Sequence, residues 1–131
     1  MILDKQLQLS AAQAVTSSAA SQNIIDLGAA GDAYGNELFL VVQVRQAAAA
    51  TGAATVNFQL QTDSASSFSS PVTLYDSGAI AKTALTLNAE PVKVRIPLGA
   101  KRYLRLYYNV DTGPLTAGKF DAFLAPDVKV N

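Results

Sequence analysis

Alternation of apolar and polar residues with a period of two is the feature that most constrains the fold of this chain. Clear examples are TVNFQLQTD (55–63), VKVRIP (92–97) and RYLRLYYNV (102–110). Successive side chains of a β-strand point to opposite faces, so this pattern predicts strands with one buried and one exposed face. No segment shows the 3.6-residue period of an amphipathic helix. The sequence therefore predicts an all-β chain.

The remaining predicted strands are short and separated by segments rich in Gly, Ser and Pro. They are 3–10, 23–28, 37–46, 72–78, 80–87 and 119–126. The first half of 37–46 is apolar on both faces, which indicates a central strand covered on both sides. AAAATGAA (47–54) is predicted to connect its neighbours as a hairpin, and the Asp-Ser-Gly of 76–78 to end a strand in a turn. We predict one domain over residues 1–131, a jelly roll or β-sandwich of about eight short antiparallel strands.

Composition argues against catalysis. The 131 residues include no Cys, His or Trp, which removes the thiol nucleophile, the commonest general base and the commonest metal ligands. No calcium-loop or phosphate-loop spacing occurs, and the nearest candidate, LGAAGDAYGNE (27–37), has the wrong spacing. Carboxylates beside Gly, Ser or Thr in predicted turns are expected to bond their own backbone: Asp26, Asp32, Asp63, Asp76 and Asp111. We expect no enzyme, no cofactor and no metal site.

Charge and hydropathy limit the classes of partner that we expect for this chain. Ten basic and ten acidic residues give a formal net charge of zero, so no global field attracts nucleic acid or an anionic membrane. The N-terminus shows no secretory signal, and the longest interior apolar run, LFLVV, is far shorter than a bilayer span. We expect synthesis and folding in a cytoplasm.

Half of the basic residues lie between positions 93 and 105, where there is no acidic residue. If 92–96 and 102–110 pair as a hairpin, their outward side chains form one exposed face, made of Lys93, Arg95, Tyr103, Arg105 and Tyr107. Three interpretations remain open: a solvated face neutralised by carboxylates of another strand, a protein contact face, or a platform on which single-stranded nucleic acid stacks. Net neutrality disfavours the last, and we take the five residues as a candidate protein-contact face.

Three segments resemble the small capsid cement proteins of tailed bacteriophages: MILDKQLQLSAAQAVT (1–16), VNFQLQTDSASSFSSPVTLYDSGAI (56–80) and RYLRLYYNVDTGPLTAGKFDAFLAPDV (102–128). The resemblance covers residues 1 to about 128. It implies a jelly roll on the outside of the virion that binds the major capsid protein and cements neighbouring capsomers, often as a dimer or trimer. It implies no enzymatic activity and no cofactor, and it transfers no contact residue to this chain. From the zero net charge we expect no nucleic-acid partner and no membrane partner.

Two further expectations follow. Residues 11–22 and 127–131 are possible arms that become ordered on the capsid shell. The alternative function is a carbohydrate- or receptor-binding module on the same fold, with stacking platforms at Tyr34, Tyr75, Tyr103 and Tyr107. The missing Trp and the missing signal peptide count against this alternative.

Overall fold

The computed structural model describes residues 8–26, 39–96, 101–112 and 114–125, and the regular secondary structure in these residues is almost entirely β. The strands are β1 (Gln8–Ala14), β2 (Ala19–Ala20), β3 (Ile25–Asp26), β4 (Phe39–Ala49), β5 (Thr55–Asp63), β6 (Val72–Ala81), β7 (Val92–Arg95), β8 (Tyr103–Asp111) and β9 (Ala117–Ala125). A short 3-10 helix, Lys82–Ala84, follows β6. The prediction of an all-β fold is confirmed.

The strands form two antiparallel sheets. The first sheet has the order β1-β9-β4-β7, and the second has the order β2-β8-β5-β6, with β3 also paired to β8. Within the described strands, the chain passes to the other sheet at every connection except β2–β3 and β5–β6. This alternation between two sheets, each built on four strands in the orders given above, is the topology of a jelly roll. The jelly roll is the more specific of the two architectures that the sequence suggested.

The hairpin predicted at 47–54 is wrong, and the hairpin that 92–96 and 102–110 were assumed to form does not occur. β4 pairs with β9 and β7, not with β5, so residues 47–54 carry the chain from one sheet to the other. β7 pairs with β4, whereas β8 pairs with β5 in the second sheet. A period of two fixes which side chains share a face, but it does not identify the neighbouring strand.

The core lies between the two sheets, and an aromatic cluster joins them. The ring centroid of Phe58 on β5 lies 5.8 Å from that of Tyr108 on β8 and 5.5 Å from that of Phe120 on β9, both edge to face. Tyr108 and Phe120 stack at 5.6 Å. All three side chains are fully buried, so the alternation in 55–63, 102–110 and 119–124 correctly predicted the core faces.

β4 is covered on both sides, as its sequence predicts. Leu40 and Val42 belong to the central core, while Val41 points to the outer side of the first sheet and is nevertheless completely buried. Val41 forms a small outer cluster with Phe123, a neighbour on β9, and with the partly buried Phe39. This strand therefore contributes apolar side chains to two separate layers.

Residues 11–22, expected as a possible arm, are part of the sandwich. β1 forms an edge of the first sheet beside β9, and β2 forms an edge of the second sheet beside β8. The N–H of Ser21 donates to the carbonyl of Leu106 at 2.7 Å, and the N–H of Asn23 donates to the carbonyl of Leu9 at 2.9 Å. The other expected arm, 127–131, lies outside the described residues.

A buried chain of polar groups fastens this N-terminal segment to the core. The hydroxyl of Tyr108 donates to Ser10 Oγ at 2.8 Å, and Ser10 Oγ donates to Gln13 Oε1 at 2.6 Å. Gln13 Nε2 then donates to the carbonyl of Ala20, and Gln13 Oε1 also accepts from the N–H of Gln22, both at 2.9 Å. Burial raises the pKa of Tyr108, so its hydroxyl stays protonated and remains a donor.

β6 continues through the predicted Asp-Ser-Gly turn. Asn57 pairs with Ala79 and Gln59 with Asp76, so β6 carries one extra residue and forms a β-bulge at this point. Asp76 Oδ1 accepts from the N–H of Gly78 at 2.7 Å, and Gly78 has φ of +74°. The turn-like sequence therefore bends the strand instead of ending it.

The buried polar chain predicts a difference between two adjacent tyrosines. Tyr108→Phe removes a buried hydrogen bond, and we expect the free energy of unfolding to fall by about 1 kcal/mol. Ser10→Ala leaves the buried Tyr108 hydroxyl without its acceptor, so its cost is expected at about 1–3 kcal/mol. Urea unfolding measures both. The control Tyr107→Phe, on the outer face of the same strand, should change stability by less than about 0.5 kcal/mol. Equal effects at positions 107 and 108 would contradict the role of the buried chain.

The bulge predicts a backbone effect at Gly78. A Cβ placed there meets no atom within 4 Å, so a substitution is limited by the positive φ alone. We expect Gly78→Ala to lower the thermal midpoint, at a cost of about 1–2 kcal/mol. Gly52→Ala is the matched control, because its added Cβ lies 3.9 Å from the nearest heavy atom and its φ is not positive. A Gly78→Ala variant as stable as the control would argue against the bulge geometry.

Candidate functional site

The outer face of the second sheet carries a row of aromatic and cationic side chains. Tyr103, Arg105 and Tyr107 alternate along β8 with the buried residues and are each partly exposed. We call these three residues the Tyr–Arg face. Across the ladder to β5, Arg105 pairs with Gln61 and Tyr107 pairs with Gln59. The backbone ladder therefore fixes the spacing of the face, and amide side chains border it.

Arg105 is held in one orientation by its neighbours. Its Nε donates to Gln61 Oε1 at 2.8 Å. Its guanidinium carbon lies 4.4 Å from the ring centroid of Phe68 and 5.6 Å from that of Tyr107. A guanidinium over an aromatic face is attracted by the ring quadrupole. One hydrogen bond and two rings thus order a side chain that usually samples many rotamers.

The ring beneath Arg105 comes from the serine-rich loop 64–71. Phe68 is 5% exposed and has φ of +51°, an uncommon conformation for a bulky residue. Asp63 secures the loop, since one carboxylate oxygen accepts from the N–H of Ser70 at 2.9 Å and the other from the N–H of Ala65 at 3.3 Å. These backbone hydrogen bonds, that from Ser70 above all, lower the pKa of Asp63. The carboxylate of Asp63 therefore holds the loop 64–71 in place, and the loop in turn places the ring of Phe68 against Arg105.

A second cation–aromatic contact lies at the end of the face. Arg102 lies 5.1 Å above the ring of Tyr103 and binds the carboxylate of Asp26 with two nitrogens, at 2.9 and 3.2 Å. The hydrogen bond to Asp26 raises the pKa of Arg102. Both side chains are about half exposed, so this pair contributes little to stability, but it neutralises the charge of Arg102.

Lys93 and Arg95 do not join this face, which corrects the five-residue surface proposed from the sequence. They lie on β7 in the first sheet, where Lys93 pairs across the ladder with Val41 and Arg95 with Phe39. Lys93 also makes an ion pair with Glu90 at 3.3 Å. Outer faces of a sandwich point away from each other, so the candidate residues divide into two surfaces.

Other candidate chemistry is sparse in the described part of the chain. No group of three or more acidic residues lies close enough together there to hold a metal ion. Among the same residues, no helix has the length and apolarity to cross a membrane. Of the proposed stacking tyrosines, Tyr75 packs partly buried against the core and Tyr34 lies outside the described residues. Asp63 and Asp76 accept backbone hydrogen bonds, as predicted for turn carboxylates.

Comparison with known proteins assigns a family. The model of the Bbp16 family matches residues 9–124, which include every strand described except the first residue of β1 and the last of β9. The chain belongs to the Bbp16 family. That family's description consists of its name and states no activity or partner. A search of curated proteins found no match.

Sequence reasoning missed the groups that order Arg105. The contact between Phe68 and the guanidinium depends on how the β5–β6 loop folds back over β8, which the strand pattern does not reveal. The alternation in 55–63 places Gln61 on the outer face of its strand, but only the register shows that it lies beside Arg105. One feature of the sequence pointed to these contacts. It is the single aromatic residue, Phe68, in the serine-rich loop that follows Asp63.

The loop predicts a pH-dependent stability. Because backbone hydrogen bonds from the loop lower the pKa of Asp63 below its ordinary value, the ionised carboxylate stabilises the folded state. This stability is fully present above the unfolded pKa of about 3.9 and is lost as the pH falls through the lower folded pKa. We expect Asp63→Asn to unfold at lower urea concentration than the wild type at neutral pH, with the difference shrinking below about pH 4.

The exposed Asp111, at the end of β8, provides the matched control as Asp111→Asn. Urea midpoints of both variants are measured from neutral to strongly acidic pH. A gap between wild type and Asp63→Asn that stays constant over this range would contradict the role of the ionised carboxylate.

Proposed function

We propose that this chain is a non-enzymatic structural protein of a phage particle. In this proposal it is made in the host cytoplasm, binds the outer surface of the major capsid shell as a homo-oligomer, and cements neighbouring capsomers. The observation that carries the proposal is the Tyr–Arg face, an ordered row of interface-type side chains on a rigid sheet. The sequence resemblance to phage cement proteins supports the choice of partner.

The ordering of the face favours docking. Association costs free energy for each flexible side chain that becomes fixed, and Arg105 is already fixed by Gln61 and Phe68. Tyr and Arg are also the residue types most enriched at energetic hot spots. A face of this kind loses little entropy when a protein surface covers it.

The net charge of the chain and the repetition of contacts on a capsid are both compatible with a protein that binds in many copies. Zero net charge limits repulsion between many copies on one particle. Contacts repeated over a symmetric shell also add up through multivalency, so each contact can be modest. A jelly roll hosts many unrelated functions, so the fold is compatible with this role without selecting it.

The second candidate is a carbohydrate- or receptor-binding module of a phage particle. Its support is the composition of the same face, where Tyr107 borders the amide of Gln59 across the ladder. Aromatic platforms flanked by amides can stack on sugar rings and bond their hydroxyls. With Tyr34 outside the described residues and Tyr75 packed against the core, the stacking surface is reduced to Tyr103 and Tyr107.

Co-sedimentation tests the proposal. Purified protein is titrated onto phage heads assembled without it, at low and at high salt. We expect saturable binding at a fixed copy number, weakened by salt because of the cationic face. A Tyr103→Ala/Tyr107→Ala variant should bind at least about tenfold more weakly, because it removes two large contact side chains.

The matched control is Lys93→Ala/Arg95→Ala on the outer face of the first sheet. It should bind within about twofold of the wild type if the second sheet is the contact surface, since a twofold change is well below 1 kcal/mol. A loss confined to this control would assign docking to the first sheet. Absence of binding to any head, together with glycan-array binding that the tyrosine variant loses, would replace the proposal with the carbohydrate-binding function.

A further inference from the structure

Arg105 differs from three other basic residues of the described chain, each of which pairs with a carboxylate. Arg45 pairs with Asp121 at 3.5 Å, Lys93 with Glu90 at 3.3 Å and Arg102 with Asp26 at 2.9 Å. Within the described residues Arg105 has no carboxylate partner, although it is only partly exposed and lies against two aromatic rings. Reduced contact with water makes an unpaired charge unfavourable, so its position calls for an explanation.

The acidic groups near the face are already engaged. Asp63, two residues along β5 from Gln61, is 3% exposed, and both its oxygens accept hydrogen bonds from the loop 64–70. Asp76, opposite Gln59, accepts from the N–H of Gly78 and from the Gln59 amide. Neither carboxylate forms an ion pair with Arg105, so the guanidinium has no acidic partner among the described residues.

The geometry of Arg105 leaves its binding edge unused. Guanidinium has five N–H donors, and the hydrogen bond to Gln61 uses Nε. The two terminal nitrogens make no hydrogen bond within the described part of the chain. The contact with Phe68 brings the guanidinium carbon to 4.4 Å from the ring centroid, and a ring offers the terminal nitrogens no carboxylate or carbonyl oxygen. A planar pair of donors matches the two oxygens of a carboxylate.

We propose that Arg105 is the receptor for a carboxylate of the partner protein. Resting on the proposed function, this inference makes the occupant an Asp or Glu side chain of the major capsid protein. That carboxylate binds the terminal nitrogens of Arg105 between Tyr103 and Tyr107. Phe68 is a positioning residue, which holds the guanidinium in place beside the incoming carboxylate.

Charge decides between a protein carboxylate and a polyphosphate partner. A nucleic-acid backbone presents many phosphates, and binding it requires several cations along a track. Here Arg102 is neutralised by Asp26, and Arg105 is the one cation on the Tyr–Arg face. A single fixed guanidinium with aromatic neighbours fits one carboxylate within a larger protein contact.

Substitutions at Arg105 test the inference on phage heads assembled without the chain. We expect Arg105→Gln to weaken binding by about tenfold or more and to flatten its dependence on salt. Arg105→Lys keeps the charge but loses the planar donor pair, so it should recover only a minor part of the lost affinity. Arg45→Gln is the matched control and should bind within about twofold of the wild type, since Arg45 lies on the first sheet.

Phe68→Leu tests positioning. It should weaken binding while keeping the wild-type salt dependence, because the charge remains but its orientation is lost. A role in stability alone would lower the thermal midpoint without weakening binding below that midpoint. Thermal midpoints and near-ultraviolet circular dichroism are recorded for every variant.

A second measurement modifies the phage heads and uses the wild-type protein, so a variant that fails to fold cannot explain a loss of binding. Head carboxylates are converted to neutral amides with a carbodiimide and glycinamide, and wild-type protein is expected to lose affinity for the treated heads. Arg105→Gln should be indifferent to the treatment, because two changes to one contact are not additive. Wild-type affinity in Arg105→Gln, or an equal effect of amidation on both proteins, overturns the carboxylate inference and leaves the capsid role intact. If the wild-type protein binds no head at all, the capsid role itself fails, and this inference fails with it.

Discussion

The ladder between β5 and β8 is the interaction on which the rest of the structure depends. It runs without a register shift from Thr55 opposite Asp111 to Asp63 opposite Tyr103. One side of this ladder fills the core with Phe58 and Tyr108, and the other side presents the Tyr–Arg face. A slip of one residue would move every side chain to the opposite side, so core packing and the Tyr–Arg face are specified together. The buried aromatic cluster fixes the register of β5 against β8, and the same register sets the positions of the residues in the Tyr–Arg face.

Alternation in the sequence determined the two faces of each strand but not the partner of any strand. Leu104, Leu106 and Tyr108 were correctly assigned to the core because burial follows from period two alone. Arg95 was placed beside Tyr103 on the assumption that consecutive strands are neighbours. In a jelly roll the chain crosses between sheets, and the information that chooses the partner lies in long-range packing. The same limit applies to the amides and rings around Arg105.

Residues 11–22 show how small side chains can mislead. A run of Ala, Ser and Gln has no apolar stripe and reads as an arm, yet here it forms the edges of both sheets. Its attachment depends on the hydroxyl of Ser10 and the amide of Gln13 reaching a buried Tyr108. Such a buried network stabilises only when each member finds a partner, and this depends on three-dimensional geometry that composition does not reveal.

The strands at the edges of the sandwich are poorly suited to strand addition, which bears on the contact surface that we propose. Unpaired strand edges invite strand addition, and proteins limit this with short edge strands and bulges. Here the segment from β1 to β3 forms one edge of each sheet, and the opposite edges are the four-residue β7 and the bulged β6. None of these offers a long, regular row of backbone donors and acceptors. In the function we propose, the partner therefore recognises side chains, and the Tyr–Arg face lies on the central ladder of the second sheet.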